Sequence, residues 1–320
     1  MPRADVQHLI DRMAIPAIAA PMFLVSNPSL ALACCAEGIM GSFPAHGTRS
    51  REEFQAWLDE MMDGTRRLED QGKTLAPWAV NLVVHASNPR YPGDLELVEK
   101  YKVPVVLTSK GAPGEAIKRI HGWGAVALHD IANRRHAEKA LEAGVDGVIA
   151  VAGGAGGHTG TINPFALMNE VRQLGEHFAV VLAGGLTTGR DVLAAQTMGS
   201  DLAYIGTRFI ATQEAMAAAP HKTMILDTRA TDVFLTASID GAPANWLVPS
   251  LLAAGIDLDL LRTTLPGKIV SAHENKKRWK DIYTAGHGVG NIEDVPEAAA
   301  LCRRLIAQYR EARKLPLAAA

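Results

Sequence analysis

Cysteine is scarce in this 320-residue chain: Cys34, Cys35 and Cys302 cannot build a disulfide framework, so a reducing, intracellular setting is expected. Aromatic residues are few, with 5 Tyr and 7 Phe, so an aromatic-lined substrate pocket is not assured. Neither sign of charge prevails: 32 Lys plus Arg stand against 34 Asp plus Glu, a formal net charge of −2. The longest basic stretch, Lys276-Lys277-Arg278-Trp279-Lys280, is short. Nucleic acid and membrane surfaces are therefore not expected as partners. Uninterrupted apolar runs of about 18 residues, the length of a membrane span, are also missing. The apolar segment 14–36 is broken by Pro16, Pro21, Asn27 and Pro28 and lacks the basic-then-apolar design of a signal peptide. A soluble, cytoplasmic protein is the expectation.

Apolar residues make up 48% and charged residues 21%, ordinary globular usage. The length suits one large domain or two modest ones. Short apolar runs alternate with helix-period segments. The runs cover 15–20, 38–43, 77–83, 103–108, 124–128, 146–151, 179–183 and 201–205. Most are nearly continuous in apolar character, as in parallel strands buried on both faces. Helix signals lie between them. Asn27-Pro28 and Asn163-Pro164 read as a cap followed by proline in the first turn, and Thr188-x-x-Asp191 has capping-box spacing. Segment 133–143 carries Ala137, Ala140 and Leu141 on one face and ends at Gly144. Eight strands with intervening helices predict an α/β fold, a (β/α)8 TIM barrel, with a doubly wound open sheet as the alternative.

After residue 212 the rhythm stops. Segment 213–290 carries Pro220, Pro243, Pro249 and Pro266 and several helix-like pieces. It reads as a helical, lid-like excursion after the eighth strand. A long amphipathic helix over 293–314 then returns to close the barrel. The barrel domain is accordingly assigned to 1–212 plus 291–320, and the lid subdomain to 213–290.

In such a barrel the active site lies at the C-terminal ends of the strands. Pro21 and Met22 follow the first strand and Asn81 ends the third. Thr108, Ser109 and Lys110 follow the fourth, and His129 and Asp130 the fifth. The sixth leads into Gly153-Gly154-Ala155-Gly156-Gly157-His158-Thr159-Gly160, the seventh into Gly184-Gly185 and the eighth into Gly206-Thr207-Arg208. Glycines let backbone N–H groups approach a ligand closely. The loops after strands seven and eight are the usual phosphate site of such barrels, helped by a helix N-terminus. A phosphate-bearing cofactor is expected there. His158, amid glycines, has little to pack against and suits a general base.

Weaker motifs fall away. Gly72-Lys73-Thr74 lacks the P-loop's earlier glycine, since Arg67 stands there, and His273-Glu274 is followed by Lys277 where a zinc protease needs histidine. Thr159 stands where a dinucleotide fingerprint needs its third glycine. The histidines show no metal-ligand spacing. Lys110 is a candidate Schiff-base lysine, though strand-end lysines more often pair with charge.

Ala155-Gly156-Gly157-His158-Thr159-Gly160 resembles the AGGHxG motif of nitronate monooxygenases, formerly called 2-nitropropane dioxygenases. Ala20-Pro21-Met22, Asn81, Ala183-Gly184-Gly185 and Gly206-Thr207-Arg208-Phe209 match further, over roughly residues 14–212 and more loosely Trp279 to Gly290. The resemblance implies FMN at the top of the barrel, with Ala20, Pro21 and Met22 by the isoalloxazine ring and Asn81 at its edge. It implies Gly184, Gly185, Gly206 and Thr207 at the phosphate, and His129, Gly153, Gly157 and Ala183 among the cofactor-binding residues. His158 would be the catalytic histidine. The implied reaction oxidises alkyl nitronates, or nitroalkanes whose α-proton the histidine removes, with O2 to a carbonyl compound and nitrite. The chain departs from the pattern at Gly154, where many members carry Glu, and at His287, where Gln is common. Related FMN enzymes suggest an alternative, NAD(P)H-dependent reduction of an enoyl thioester or a quinone. A flavin- or phosphate-binding module without catalysis, and a lyase using Lys110, are alternatives of other classes. The partners expected are a small-molecule substrate and O2, with the oligomeric state, a homodimer included, left open.

Overall fold

The computed structural model describes residues 4–265, 267–270 and 277–314. Eleven strands follow in chain order: β1 (Ala17–Ala19), β2 (Gly41–Pro44), β3 (Trp78–Val83), β4 (Val105–Ser109), β5 (Val126–Ile131), β6 (Gly147–Val151), β7 (Gly157–His158), β8 (Ala179–Ala183), β9 (Leu202–Ile205), β10 (Val233–Thr236) and β11 (Ala244–Leu247). Eight of them form one parallel sheet in the order β1-β9-β8-β6-β5-β4-β3-β2. A parallel bridge from Ile18 to Met40 joins its two edges, so the sheet closes into a (β/α)8 barrel. Each of the eight apolar runs in the sequence contains or overlaps one of these strands.

Two cores follow from the period-2 alternation of the strands. Ala79, Val105, Leu107, Val126, Leu128, Ile149, Val181 and Leu202 point inward and fill the barrel, with Val6 of the helix Ala4–Asp11 in the same cluster. The outward set, including Val80, Val106, Ala127, Val148 and Val180, packs under the surrounding helices. The caps fall where the sequence placed them. Asn27 accepts from the N–H of Leu30 at 2.8 Å, Asn163 accepts from that of Phe165 at 2.9 Å, and Thr188 and Asp191 close a reciprocal capping box. The helix Ala298–Ala312 packs on Gly189–Thr197 and on Pro28–Ala36, completing the helical ring. No helix among the described residues is long and apolar enough to cross a membrane.

The excursion holds the helices Ala219–Asp227, Val248–Ala253 and Leu258–Thr263. It also contains a hairpin the sequence did not suggest: β10 pairs with β11, and β11 with β7, all antiparallel. Its own small core includes Ile239, Trp246, Leu251, Ile256 and Ile282. Pro266, His273, Glu274 and Lys276, read in the sequence, lie outside the described residues.

Candidate active site

At the C-terminal ends of the strands a cavity of about 1040 Å³ opens between the barrel and the excursion. This is large for a small-molecule site, enough for a cofactor and a substrate together. Its wall combines strand ends, the glycine loop 154–160 and the excursion segment from Trp279 to Gly288.

His158 stands at the junction. As part of β7 it is opposite Ala244 of the excursion, and Thr159 N–H donates to Pro243 O at 3.0 Å. Its Nε2 lies 2.8 Å from Asp240 Oδ2. Donation to that carboxylate places the proton on Nε2 and leaves Nδ1 as the basic nitrogen. The Trp279 ring packs against the imidazole at 4.8 Å, and Trp246 lies 4.8 Å behind it. Burial lowers the imidazole pKa, Lys110 lowers it further, and Asp240 pulls it back up. His158 is therefore neutral at pH 7, the form a general base requires. Removing the Asp240 charge leaves only the lowering influences. Asp240→Asn is thus expected to move the acid limb of a kcat/KM–pH profile to lower pH; an unmoved limb would remove Asp240 from the site.

The glycines after β8 and β9 form a cradle. All three residues line the cavity; the register Ala183↔Tyr204 directs the Gly184 N–H along the β8–β9 ladder, while among the described residues those of Gly185 and Gly206 meet no backbone acceptor. Such converging free N–H groups bind an anion. The helix N-terminus expected beside them is partly occupied by the protein's own groups. The N–H of Gly189 donates to Gln308 Oε1 at 3.0 Å, and that of Asp191 to Thr188 Oγ1 at 3.2 Å. The cradle is completed instead by the late glycine segment. The Thr207 hydroxyl accepts from Gly286 N–H at 2.8 Å. A Cβ on Gly286 would lie 2.4 Å from Gly154 O and 2.9 Å from Gly156 N, so two backbones touch with no room for a side chain.

The two departures from the family pattern also meet here. His287 N–H donates to Gly154 O at 2.9 Å. A Cβ on Gly154, whose φ is +95°, would lie 3.2 Å from His287 Nδ1. A glutamate at 154 would therefore be strained in its backbone and would press on the His287 ring.

Of the residues singled out in the sequence, Ala20, Pro21, Met22, Asn81, Gly157, His158, Ala183, Gly184, Gly185, Gly206 and Thr207 border the cavity. Asn81 Nδ2 is turned along the strand ends, donating to Leu107 O at 3.0 Å and Ser109 Oγ at 3.1 Å. Two of the expected residues, His129 and Gly153, do not border the cavity. His129 points outward from β5 and meets Thr108 Oγ1 at 2.8 Å, because Val126, Leu128 and then Asp130 take the inward positions. Gly153 donates to Ile162 O at 2.7 Å and lies behind the loop rather than on the cavity. Arg208 pairs with Asp294 at 2.6 Å, tying the strand end to the chain entering the last helix.

Asp240, Asn245 and His46 carried no signal in the sequence. Asp240 is 82 positions from His158, and Asn245, whose Nδ2 donates to Ala155 O at 2.7 Å, is 90 positions from its partner. His46 borders the cavity, stacked on Phe23 at 5.3 Å. Asp130 faces it from the barrel interior. Three non-glycine residues with left-handed backbone, Leu24 (φ 58°), Lys110 (φ 52°) and Trp279 (φ 67°), also line the cavity. Strain of this kind gathers at functional sites.

Burial holds His46, His129 and His221 near pKa 4, against an ordinary 6.5. It raises Asp130 from 3.8 to about 7. Between about pH 4 and 6.5 the unfolded chain therefore holds more protons at the three histidines, while the native state holds one more at Asp130. The histidines prevail, so stability rises with pH in this window and is lost as pH falls through it. A net difference of about two protons gives a limiting slope of about 3 kcal/mol per pH unit. Urea midpoints of the cofactor-free protein should drop steeply from pH 6.5 to 4.5; a flat profile would contradict these burials.

An eight-stranded parallel barrel with glycine N–H groups and a carboxylate-held histidine at its mouth defines an α/β-barrel protein with an anion cradle and a general-base histidine on one cavity. The family model of nitronate monooxygenases matches residues 59–308, and the chain belongs to this family of oxidoreductases. A nitronate monooxygenase of Pseudomonas aeruginosa is 26% identical, the match covering 92% of this chain and 96% of that protein. The (3aS,4S,5R,7aS)-5-hydroxy-7a-methyl-1-oxo-octahydro-1H-indene-4-carboxyl-CoA dehydrogenase of Rhodococcus jostii is 29% identical over 74% of this chain and 64% of its own length. This chain spans 44% to 64% of the length of three curated relatives that it matches. Among solved structures, nitroalkane oxidase from Streptomyces ansochromogenes is similar, with 26% identity, a TM-score of 0.77, and 95% of this chain and 99% of that one covered.

Proposed function

We propose that the protein is an FMN-dependent oxidoreductase that oxidises alkyl nitronates, and nitroalkanes after loss of their α-proton, with O2 to a carbonyl compound and nitrite. The observation that carries this reading is the placement of an oriented, neutral histidine and a set of free backbone N–H groups on one cavity. The donor set fits the cofactor. Gly185 and Gly206 would hold its phosphate by backbone N–H groups, with Gly184 beside them. Ala20, Pro21 and Met22 would lie along the ring, their loop pinned where Ser26 Oγ accepts from Met22 N–H at 3.0 Å and donates to Ala20 O at 3.2 Å. Bound FMN supplies the electron acceptor.

The chain's own residues do the rest. His158 takes the α-proton of a neutral nitroalkane at Nδ1, while Asp240 fixes the ring and stabilises the imidazolium that forms. Lys110, also on the cavity wall, puts a positive charge beside an anionic nitronate. Trp279 and the β10–β11 hairpin cover the histidine and limit water there. Purified protein incubated with FMN should acquire a flavin spectrum and release nitrite from an alkyl nitronate in air. Flavin uptake without nitrite would sink the reaction assigned here.

The Rhodococcus relative, named as a dehydrogenase of a carboxyl-CoA compound, favours a second reading. In it the same cavity and flavin serve an NAD(P)H-linked reaction on a thioester or a quinone.

A further inference from the structure

Asp130 is the inward residue at the C-terminal end of β5, following Val126 and Leu128 in the barrel interior. It borders the cavity in the same inward layer as Asn81, Ser109, Val151, Ala183 and Tyr204. Its Oδ1 is sealed from solvent, and no hydrogen bond or ion pair reaches the carboxyl group among the described residues. Asn81 and Ser109 satisfy each other at 3.1 Å, so they do not turn to it. Tyr204 feels its charge without bonding to it. An unsatisfied carboxyl in a barrel interior costs folding stability unless something in the working protein engages it.

We propose that Asp130 is a cofactor-binding residue whose carboxyl group hydrogen-bonds the flavin from the floor of the cavity. This rests on the FMN reading above. Depth selects the cofactor over the substrate. Asp130 belongs to the barrel wall, whereas His158, Asp240 and Trp279 gather at the mouth, where the excursion meets the glycine loop. A substrate engaged by His158 would approach from the mouth, and a cofactor held beneath it would face Asp130. Both protonation states serve: the neutral acid donates to a ring oxygen or nitrogen, and the carboxylate accepts from an imide N–H or a ribityl hydroxyl. Burial raises this acid into the neutral range.

The assignment gives two effects of opposite sign. Asp130→Val removes the carboxyl at similar volume, and Asp130→Asn keeps a hydrogen-bonding group. FMN affinity is read by quenching of flavin fluorescence on binding, and stability by thermal unfolding of the cofactor-free protein. Asp130→Val should weaken FMN binding at least about tenfold, the loss of one hydrogen bond to a charged group. Asp130→Asn should lose less. The cofactor-free Asp130→Val variant should unfold at a higher temperature than wild type, because an orphaned polar group has gone, whereas Asp130→Asn keeps one and should stay close to wild type. Loss of a merely structural carboxyl would lower the unfolding temperature of both. Wild-type affinity in Asp130→Val, or a lowered unfolding temperature in both variants, overturns the assignment. Wild-type protein that acquires no flavin absorbance with FMN overturns the cofactor reading itself, and is seen before any variant is made.

Discussion

Replacing His158 with Asn should slow turnover of neutral nitroalkanes roughly a hundredfold to ten-thousandfold, the range that one positioned proton-transfer group contributes. FMN affinity should stay close to that of wild type, because the cradle at Gly184, Gly185 and Gly206 is built without this side chain. Preformed nitronates need no α-proton removal and should suffer much less. The contrast between the two substrate forms is the informative part. An imidazole that only held the loop would, when replaced, harm both forms alike through FMN loss. The geometry predicts the selective loss, because Asp240 at 2.8 Å leaves one basic nitrogen free on a ring that borders the cavity. Equal turnover of the nitroalkane by wild type and His158→Asn would remove His158 from the chemistry.

The second large effect belongs to a residue with no side chain. Gly286→Ala places a methyl group 2.4 Å from Gly154 O and 2.9 Å from Gly156 N, both backbone atoms that cannot turn aside. The reverse contact is equally tight, since a Cβ on Gly156 would lie 2.8 Å from Gly286 N. The segments must separate, breaking the hydrogen bonds from Gly286 to Thr207 and from His287 to Gly154. Overpacking of this kind costs about 1–3 kcal/mol, which lowers Tm by about 2–6 °C in a chain of this size. FMN binding should weaken with it, because the late segment backs the phosphate cradle: a Cβ on Gly288 would lie 3.1 Å from Gly185 O. Unchanged melting and unchanged FMN affinity would show that the late glycine run is not part of the site.

The barrel was legible because of how its strands are covered. Parallel strands wrapped by helices on one face and filled on the other are apolar throughout, and runs such as 179–183 coincide with β8 (Ala179–Ala183). The same continuity hid which way each residue points. His129 and Asp130 are adjacent in sequence, and only the register of β5 sends Asp130 inward and His129 out to Thr108. The excursion was harder still. β7 has two residues and β10 and β11 four each, too short to carry a period. The glycine loop announced His158, but Asp240 and Trp279 reach it only through the hairpin that joins β7 to β11. Local spacing finds loops that cradle ligands; it does not find partners that tertiary structure brings from 82 positions away.

The central claim is that this cavity oxidises a nitronate on a bound flavin, and its most direct test is anaerobic. The FMN-loaded protein is mixed with an alkyl nitronate without oxygen, and separately with NADH, while flavin absorbance is followed. Loss of the oxidised flavin band with the nitronate, and none with NADH, is the predicted result. Bleaching by NADH alone would contradict it and assign the site to a pyridine-nucleotide-linked reductase.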